Sequence, residues 1–318
     1  MSQPNRPVVS IIIVSYKTRE MTLECLRSLV RETKIPYQLI VLDNASDDGS
    51  AAAIAAEFPD ILLLTETENS GFAKANNIAA RHATGEYVLL LNPDTVVLDG
   101  AIDKLLAFAE ATPEAQIWGG KTLFGDHSLN ATSCFRRPTL WSIFCHSTGL
   151  SWAFRGNAVF NSECYGSWQR DTVRAVDIVT GCFFLLKRDL WEALDGFNLT
   201  YVMFGEETDL CLRAIRDHGA NPHVTPDAVI IHYGGASEKV RAERMVRLIR
   251  SKLTLIRHHL PAWQRPAARW LSRLSPLFRA GLARGAVRLR PKRFVYSAQT
   301  WGAIWDRRRE WWHGYPDV

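Results

Sequence analysis

The stretch that most constrains the fold covers residues 86–97, EYVLLLNPDTVV. Tyr87–Leu91 is a continuous apolar run without alternation, which is typical of a strand buried on both faces of a parallel sheet. Pro93 cannot donate a hydrogen bond to a neighbouring strand, so we predict that the strand ends there and leaves Asp94 at its carboxyl end. Ligands of open α/β sheets bind at this edge. Asp94 is therefore a candidate ligand for Mg²⁺ or Mn²⁺ beside a diphosphate, with a solvated turn residue as the alternative.

The first 64 residues alternate between apolar strands and helical segments. Strands are predicted over residues 8–15, 37–42 and 61–64, and helices over residues 20–30 and 51–58. This order favours an α/β fold with a mainly parallel, doubly wound sheet and right-handed crossovers. Asp43 follows the second strand, where it is either a turn or cap residue or an acceptor for a nucleotide base or ribose. Neither a Gly-x-Gly-x-x-Gly nor a Walker A motif is present, so the nucleotide must be bound in another way.

Charge divides the chain into two parts. Residues 241–318 contain 18 Lys and Arg against 4 Asp and Glu, whereas residues 1–240 contain 20 against 29. We therefore predict an acidic α/β domain over residues 1–240 and a basic helical extension over residues 241–318, two parts with different partners. No apolar run approaches the roughly 20 residues that span a bilayer, and the six cysteines form no Cys-x-x-Cys pair. Together with an N-terminus that lacks a signal-peptide pattern, this favours a reduced, cytoplasmic protein.

The segment NSGFAKANN, residues 69–77, leads into a predicted helix. Gly71 permits close approach of the backbone to a ligand, and Lys74 in the first helical turn is placed to meet a phosphate. A simple capping loop is the alternative.

Three carboxylates cluster at the start of another predicted helix, in the segment FGEETDLCLR, residues 204–213. A favourable interaction with the helix dipole explains one or two of them. Repulsion among Glu206, Glu207 and Asp209 raises at least one pKa, which suits a general base.

Two further positions lie next to predicted buried strands. Gly181 belongs to a strand predicted over residues 178–186, where a side chain would collide with a ligand. His232 follows an apolar strand and precedes a glycine pair, which is consistent with a structural histidine or with a metal ligand at the same sheet edge. Ser237 is a further candidate for a hydrogen bond to phosphate.

The motifs VSYK (14–17), DNASDDGS (43–50), NSGFAKANN (69–77) and NPD (92–94) occur in an order that resembles the family 2 glycosyltransferases of the GT-A fold. The third motif is similar to the rhamnosyltransferase-like branch in particular. The resemblance implies that Asp94 and His232 hold Mg²⁺ or Mn²⁺, and that Asn92 replaces the first acid of the family's Asp-x-Asp motif. It also implies a set of residues around the nucleotide-sugar: Ser15, Tyr16, Asp43, Asn69, Gly71, Lys74, Asn92, Asp94 and Gly181.

In this family the acid that deprotonates the acceptor occupies the position of Glu207. Glu206 is the alternative candidate for this base. The resemblance also places Glu206 and Asp209 on the acceptor side of the site. The resemblance thus predicts an inverting enzyme that moves a hexose or deoxyhexose, above all rhamnose. The donor is expected to be a dTDP- or UDP-sugar, and the acceptor a hydroxyl of a cell-surface glycan or a polyprenyl-linked molecule. A nucleotidyltransferase is one alternative, although residues 14–20 lack its Gly-rich loop. A non-catalytic, membrane-associated nucleotide-sugar-binding protein is another, although binding alone needs no base.

The basic extension begins with a predicted helix over residues 241–259, and a second helix follows Pro261. On the second helix, one side gathers Trp263, Ala267, Trp270, Leu271 and Leu274, and the other gathers Arg265, Arg269 and Arg273. This pattern predicts a peripheral contact of residues 241–293 with an anionic membrane, on its inner face, with arginines against the lipid. Packing of the tryptophan side on the catalytic domain is one alternative. Binding to nucleic acid is the other, and we predict no such partner because no known nucleic-acid module surrounds the helix.

Overall fold

The computed structural model describes residues 7–234, 241–289 and 291–317. Within these residues no helix is both long and apolar enough to cross a membrane. Ser237, one of the predicted phosphate contacts, lies outside the described residues.

Eleven strands occur in the described residues: β1 (Val9–Ser15), β2 (Tyr37–Asp43), β3 (Leu62–Thr65), β4 (Tyr87–Leu91), β5 (Thr95–Val97), β6 (Ile117–Leu123), β7 (Cys134–Phe135), β8 (Arg174–Ala175), β9 (Ile178–Val179), β10 (Phe183–Lys187) and β11 (His223–His232). The α-helices are α1 (Arg19–Glu32), α2 (Ser50–Glu57), α3 (Phe72–Ala80), α4 (Ala101–Ala111), α5 (Leu140–Thr148), α6 (Leu150–Ala153), α7 (Arg188–Ala193), α8 (Glu206–His218), α9 (Arg241–His259), α10 (Arg265–Leu289), α11 (Pro291–Asp306) and α12 (Arg308–Trp311).

The described part of the chain builds one nine-stranded sheet in the order β3-β2-β1-β4-β10-β6-β11-β5, with β8 paired to β11. Strands β1 to β4 are parallel, as the alternation of strands and helices predicts. β10 runs antiparallel to both β4 and β6, while β6 and β11 are again parallel. The mainly parallel α/β fold expected from the sequence is confirmed.

The interior of the sheet consists of side chains from the strands that the sequence marks as continuously apolar. All five side chains of β4 and all seven of β1 are buried. On one face of the sheet, alternate side chains of these two strands pack with Leu26 and Leu29 of α1 and with Leu105 of α4. Burial on both faces removes the polar alternation of a half-exposed strand, which is why these strands could be recognised from the sequence alone.

One predicted strand is wrong in its extent. The sequence predicted a single strand over residues 178–186, but the structure ends β9 at Val179 and begins β10 at Phe183. β9 pairs with β7 in a separate two-stranded sheet, and β10 joins the main sheet. The residues between them, Thr180 to Cys182, form a short connection rather than part of a strand.

The chain forms two compact units. The first contains the sheet and comprises the described residues of 7–135, 169–202 and 206–234. The second comprises residues 136–168, 203–205 and the helical C-terminal residues from 241 onward. The predicted division at residue 240 stays a prediction, and the second unit also takes in a segment from the middle of the chain.

The second unit has its own core, which is built from α5, α9, α10, α11 and α12. Its buried side chains include Ile143, Leu253, Ile256, Ile304 and Trp311. The expected basic helical extension is thus confirmed as a set of packed helices.

One arginine of the predicted basic row on α10 does not face solvent as the membrane prediction required, while Arg265 and Arg269 are partly buried. Arg273 is buried, donates to the backbone carbonyl of Trp312 at 2.9 Å, and lies 4.7 Å from that ring's centroid. Trp270 and Leu274 are exposed instead. The prediction that the arginines of this helix contact lipid is therefore wrong for Arg273, because aromatic rings of the same unit contact its guanidinium.

Candidate active site

The candidate site lies at the carboxyl edge of the parallel strands. Asp43 is the last residue of β2 and stands opposite Ser15, the last residue of β1. Asp94 follows β4, which neighbours β1 on its other side. Both carboxylates are largely removed from solvent, with Asp43 3% and Asp94 7% exposed. A buried carboxylate at a sheet edge requires compensation of its charge by hydrogen bonds, cations or protons. The residues around Asp94 and Asp43 supply this compensation to different extents.

Asp94 and His232 lie together, although 138 positions separate them in the sequence. His232 ends β11, which pairs with β5 so that His232 stands opposite Thr95. Its Nε2 is 3.3 Å from Oδ1 of Asp94 and 3.4 Å from Nδ2 of Asn92. The backbone N–H of Tyr233 donates to the carbonyl of Asp94 at 3.0 Å, which fixes the two chain segments against each other.

The environment of His232 favours a positive charge at this point. Burial lowers the pKa of the imidazole, but Cys182 and the carboxylate of Asp94 act in the opposite direction and raise it to about 10. In the absence of another cation, a proton on His232 therefore compensates the buried Asp94.

Two buried atoms of this group have no hydrogen-bond partner within the described residues. They are Oδ1 of Asn92 and Nδ1 of His232, although the thiol of Cys182 lies beside the imidazole. Unpartnered buried polar atoms are rare in folded proteins. The unpartnered oxygen of Asn92 belongs to an amide that lies close to Nε2 of His232, which in turn contacts the carboxylate of Asp94; these groups make an oxygen and nitrogen donor set that can accept a metal ion.

Asp43 is only partly paired. Its Oδ2 accepts from the backbone N–H of Ser46 at 3.2 Å, while its buried Oδ1 has no partner among the residues that the structure describes. Asp43 thus offers one carboxylate oxygen to a donor that the protein itself does not supply. The next residue, Asn44, instead binds protein: its Oδ1 accepts from the backbone N–H of Ser70 at 2.9 Å and its Nδ2 donates to Asn69 at 3.0 Å.

The residues after β1 contribute mainly through their backbone. The side chain of Ser15 is buried and lies 3.0 Å from the hydroxyl of Thr22, so it holds the start of α1. Tyr16 is partly buried. Lys17 donates from its backbone N–H to Ser46 and from its ammonium to Asp47, both at 2.9 Å, which ties this loop to the loop after Asp43.

The segment of residues 69–77 combines a sharp turn with a fixed helix. Asn69 accepts the N–H of Gly71 at 2.9 Å, and Gly71 has a φ of +80° in the left-handed region. Lys74 is exposed in the first turn of α3. Asn77 donates to the carbonyl of Phe197 at 2.8 Å and accepts the N–H of the same residue at 2.9 Å.

The connection between β9 and β10 joins several parts of the site. The N–H of Asn92 donates to the carbonyl of Cys182 at 3.1 Å. A Cβ at Gly181 would lie 3.4 Å from the ring of Phe72, at the start of α3. On its other side, the carbonyl of Val179 lies 3.9 Å from the thiol of Cys211 on α8. This connection therefore contacts the strand that precedes Asp94, the helix after Gly71 and the helix that carries Glu207.

Helix α8 begins with the predicted acidic cluster. Phe204 and Gly205 both have positive φ, +68° and +89°, so the chain turns sharply before the helix. Glu206 is buried and Glu207 is partly buried. Burial is the main reason that the pKa of Glu206 lies well above its usual value, and the charge of Glu207 adds to it. A neutral Glu206 relieves the repulsion on a charged Glu207, which makes Glu207 the better candidate for a base.

Asp209, the third acid, has a supporting contact. Its Oδ2 accepts from Nε of Arg213 at 2.7 Å, and both side chains are well buried. Arg213 also donates to the carbonyls of Leu194 and Gly196, at 2.7 and 2.8 Å. The pair thereby anchors α8 to the loop before it, while the acceptor-side role of Asp209 stays a prediction.

Comparison with known proteins agrees with the motif pattern. The model of glycosyl transferase family 2 matches residues 10–192, more than half of the chain. The chain belongs to glycosyl transferase family 2. It is a glycosyltransferase, and the resemblance seen in its motifs is confirmed.

This family 2 chain is similar to proteins named as rhamnosyltransferases. It is 25% identical over 294 residues to the N-acetylglucosaminyl-diphospho-decaprenol L-rhamnosyltransferase of Mycobacterium tuberculosis, with 86% of this chain and 92% of the relative covered. It is 29% identical over 235 residues to the rhamnosyltransferase WbbL of Escherichia coli, with 71% and 83% covered. The O-antigen biosynthesis protein RfbC of Myxococcus xanthus is 27% identical over 74% of this chain, which spans 18% of that longer protein.

A solved structure confirms the GT-A-like fold. The mannosyltransferase PcManGT from Pyrobaculum calidifontis, in complex with GDP-Man and Mn2+, superimposes with a TM-score of 0.56. The similarity covers 96% of this chain and 88% of that structure at 21% identity.

Sequence reasoning missed four residues that shape this family 2 site: Asn44, Asn77, Cys182 and Arg213. Asn44 and Asn77 stand inside the quoted motifs, so their presence was visible while their backbone partners were not. The contact of Cys182 with the imidazole of His232 depends on strand pairing, so no local sequence pattern predicts it. Arg213 follows Asp209 by four residues, a spacing that predicts an ion pair on a helix.

Proposed function

We propose that the protein transfers rhamnose, with inversion, from a dTDP- or UDP-linked donor to a hydroxyl of a cell-surface glycan or polyprenyl-linked acceptor. Two similar proteins support this proposal by their names, since both are called rhamnosyltransferases and one is named for a diphospho-decaprenol acceptor. The observation that carries the proposal is the contact of Asp94 with His232 at the carboxyl edge of the sheet, beside the unpartnered Oδ1 of Asn92.

Asp94 and His232 fit a divalent metal ion. A carboxylate with an imidazole, and an amide oxygen nearby, mixes oxygen and nitrogen donors. This set suits Mn²⁺ better than Mg²⁺, which prefers an all-oxygen shell. The mannosyltransferase structure contains Mn2+ together with its sugar nucleotide. Such an ion supplies charge stabilisation for a departing diphosphate.

The remaining residues supply binding and proton transfer. The free oxygen of Asp43 can accept a hydrogen bond from the ribose or base of the donor. Glu207 accepts the proton of the acceptor hydroxyl, and the resulting oxygen attacks the anomeric carbon from the side opposite the diphosphate. Attack from that side inverts the configuration. Buried Glu206 keeps its proton in this scheme and does not compete as the base.

A peripheral contact with the inner face of the membrane belongs to the same proposal, in a corrected form. The second unit exposes large apolar side chains on α10, with Trp270 53% and Leu282 57% exposed. Residues 241–318 carry 18 basic against 4 acidic residues, which attracts anionic lipid. The contact is thus proposed through the exposed apolar side of α10 rather than through Arg273.

A two-stage experiment tests the function. A thermal-shift screen of dTDP-, UDP- and GDP-sugars with Mn²⁺ identifies the donor, because a ligand that binds the folded state raises the melting temperature. The preferred donor, radiolabelled in its sugar, is then incubated with a lipid extract. Transfer of rhamnose label into a lipid or glycan is the expected result. Conversion of the donor to sugar 1-phosphate and a nucleoside triphosphate in a parallel reaction with added inorganic diphosphate would favour a nucleotidyltransferase, and binding without any turnover would favour a non-catalytic protein.

A further inference from the structure

Three basic side chains meet in the second unit where α5, α9 and α10 pack: His146, Lys252 and Arg279. We call them the cationic cluster. The guanidinium of Arg279 donates from Nη2 to the carbonyl of His146 and from Nε to the hydroxyl of Ser275 at 3.2 Å. It also lies 4.9 Å from the ring centroid of Trp301. Lys252 and Arg279 are partly buried, and His146 is exposed, so the cluster is open to a ligand.

The charge of this cluster is not balanced. Within the described residues, no acidic side chain forms an ion pair with Lys252, Arg279 or His146. The positive charge of Lys252 is the main reason that the pKa of His146 lies well below its usual value, with desolvation and Arg279 adding to the effect. The C-terminal end of α5 offers the equivalent of about half a negative charge near Arg279. Two full positive charges therefore exceed what the protein supplies.

The geometry indicates which anion fits. Guanidinium and ammonium groups together bind phosphate oxygens well. Helix α10, which carries Arg279, exposes four large apolar side chains: Leu274, Leu277, Phe278 and Leu282. A phosphate bound at Arg279 would thus have an apolar surface beside it.

We propose that the cationic cluster binds the diphosphate of a polyprenyl-linked acceptor, with the hydrocarbon chain along the exposed apolar side of α10. This inference rests on the lipid-linked acceptor of the proposed function and adds the residues that select it. Charge complementarity requires a phosphate, and the exposed leucines and phenylalanine favour one that carries a long apolar chain over a free phosphate ion.

Vesicle co-sedimentation of the full chain tests the proposal. Three vesicle types are compared: phosphatidylcholine alone, phosphatidylcholine with undecaprenyl diphosphate, and phosphatidylcholine with phosphatidylglycerol at the same total charge. EDTA is present and donor sugar is absent, so that neither metal-dependent diphosphate binding nor transfer contributes.

The test variants are Arg279→Gln and Lys252→Gln. In the described residues the hydrogen bond from α10 to the carbonyl of His146 on α5 comes from Arg279, so replacing Lys252 should leave the packing of α5 on α10 in place. Arg284→Gln, an exposed arginine on the same helix, is the matched control.

The wild-type chain is expected to prefer the undecaprenyl diphosphate vesicles, and each test variant to lose about tenfold in that binding, equivalent to about 1.4 kcal/mol. The Arg284→Gln control should stay within about twofold of the wild type, because it lies outside the cluster. Equal binding to both anionic vesicle types would overturn the proposal and leave only general attraction to the membrane surface. Equal losses in the control and test variants, or competition by inorganic pyrophosphate as strong as by the lipid, would also overturn it. Because sugar transfer is measured separately, a wild-type chain that shows no preference for the undecaprenyl diphosphate vesicles but still transfers sugar would refute the cluster alone and leave the proposed function standing.

Discussion

Replacing Glu206 by Gln should stabilise the protein at neutral pH. Glu206 is buried at the start of α8, its Oε2 has no partner among the described residues, and its pKa lies well above the usual value because of burial and the charge of Glu207. The folded state therefore holds a proton that the unfolded chain releases above a pKa of about 4.3. As the pH rises from that value towards the folded pKa, the wild-type protein loses stability.

The size of the effect follows from the single proton involved. One proton changes the free energy of unfolding by at most about 1.4 kcal/mol per pH unit. The glutamine variant keeps a similar shape without the titration, so its advantage over the wild type should be small at pH 4 and should grow at up to that rate above pH 5. Once Glu206 is ionised in the folded wild-type protein, the advantage becomes constant.

Denaturant unfolding followed by tryptophan fluorescence measures this difference at intervals of one pH unit between pH 4 and pH 8. The matched control is Glu20→Gln, an exposed glutamate in the first turn of α1. The difference in the free energy of unfolding between Glu20→Gln and the wild type should not grow with pH as the difference for Glu206→Gln does. The assignment of a neutral buried acid would be refuted if the free energy of unfolding of Glu206→Gln changed with pH in the same way as that of the wild type. It would also be refuted if the variant were less stable than the wild type at pH 7.

Three other substitutions test neighbouring features. Asp94→Asn should lower the affinity for Mn²⁺ more than about tenfold in a calorimetric titration, because it removes the charged oxygen donor; unchanged affinity would exclude Asp94 as a ligand. Asn77→Ala removes both hydrogen bonds to the backbone of Phe197 and should cost about 1–3 kcal/mol in the free energy of unfolding, and a smaller cost would show that water replaces them. Gly71→Ala should cost about 1 kcal/mol or more, since φ is +80° and a carbonyl oxygen lies 3.0 Å from the added Cβ. Gly156→Ala, which has open space around the added Cβ, serves as its control and should change the free energy far less.

Strands buried on both faces could be predicted from the sequence because their composition is unambiguous. Tyr87–Leu91 has the predicted bounds, and the order of strands and helices in the first 64 residues matches the observed order. The apolar run of residues 178–186 was misread as one strand, since periodicity cannot show that Thr180 to Cys182 leave one sheet and enter another. That break depends on pairing partners distant in the sequence.

The site could be predicted in part for a similar reason. Asp43 and Asp94 were identified because each directly follows a buried strand, and the carboxyl ends of parallel strands share an edge. The contact of His232 with Asp94 depends on β11 pairing with β5, which no local pattern specifies. The burial of Arg273 could not be predicted from a helical wheel, because a wheel places residues around α10 without showing which side packs against the other helices.

The most direct test of the central claim compares sugar transfer and nucleotide binding in Glu207→Gln. The account predicts that kcat falls by about 10²–10⁴-fold, because the acceptor hydroxyl loses its base, while the Kd for the nucleoside diphosphate with Mn²⁺ changes by less than about twofold. Glu206→Gln, one residue earlier, should retain most of the transfer activity. Turnover of Glu207→Gln within about threefold of the wild type would contradict the account.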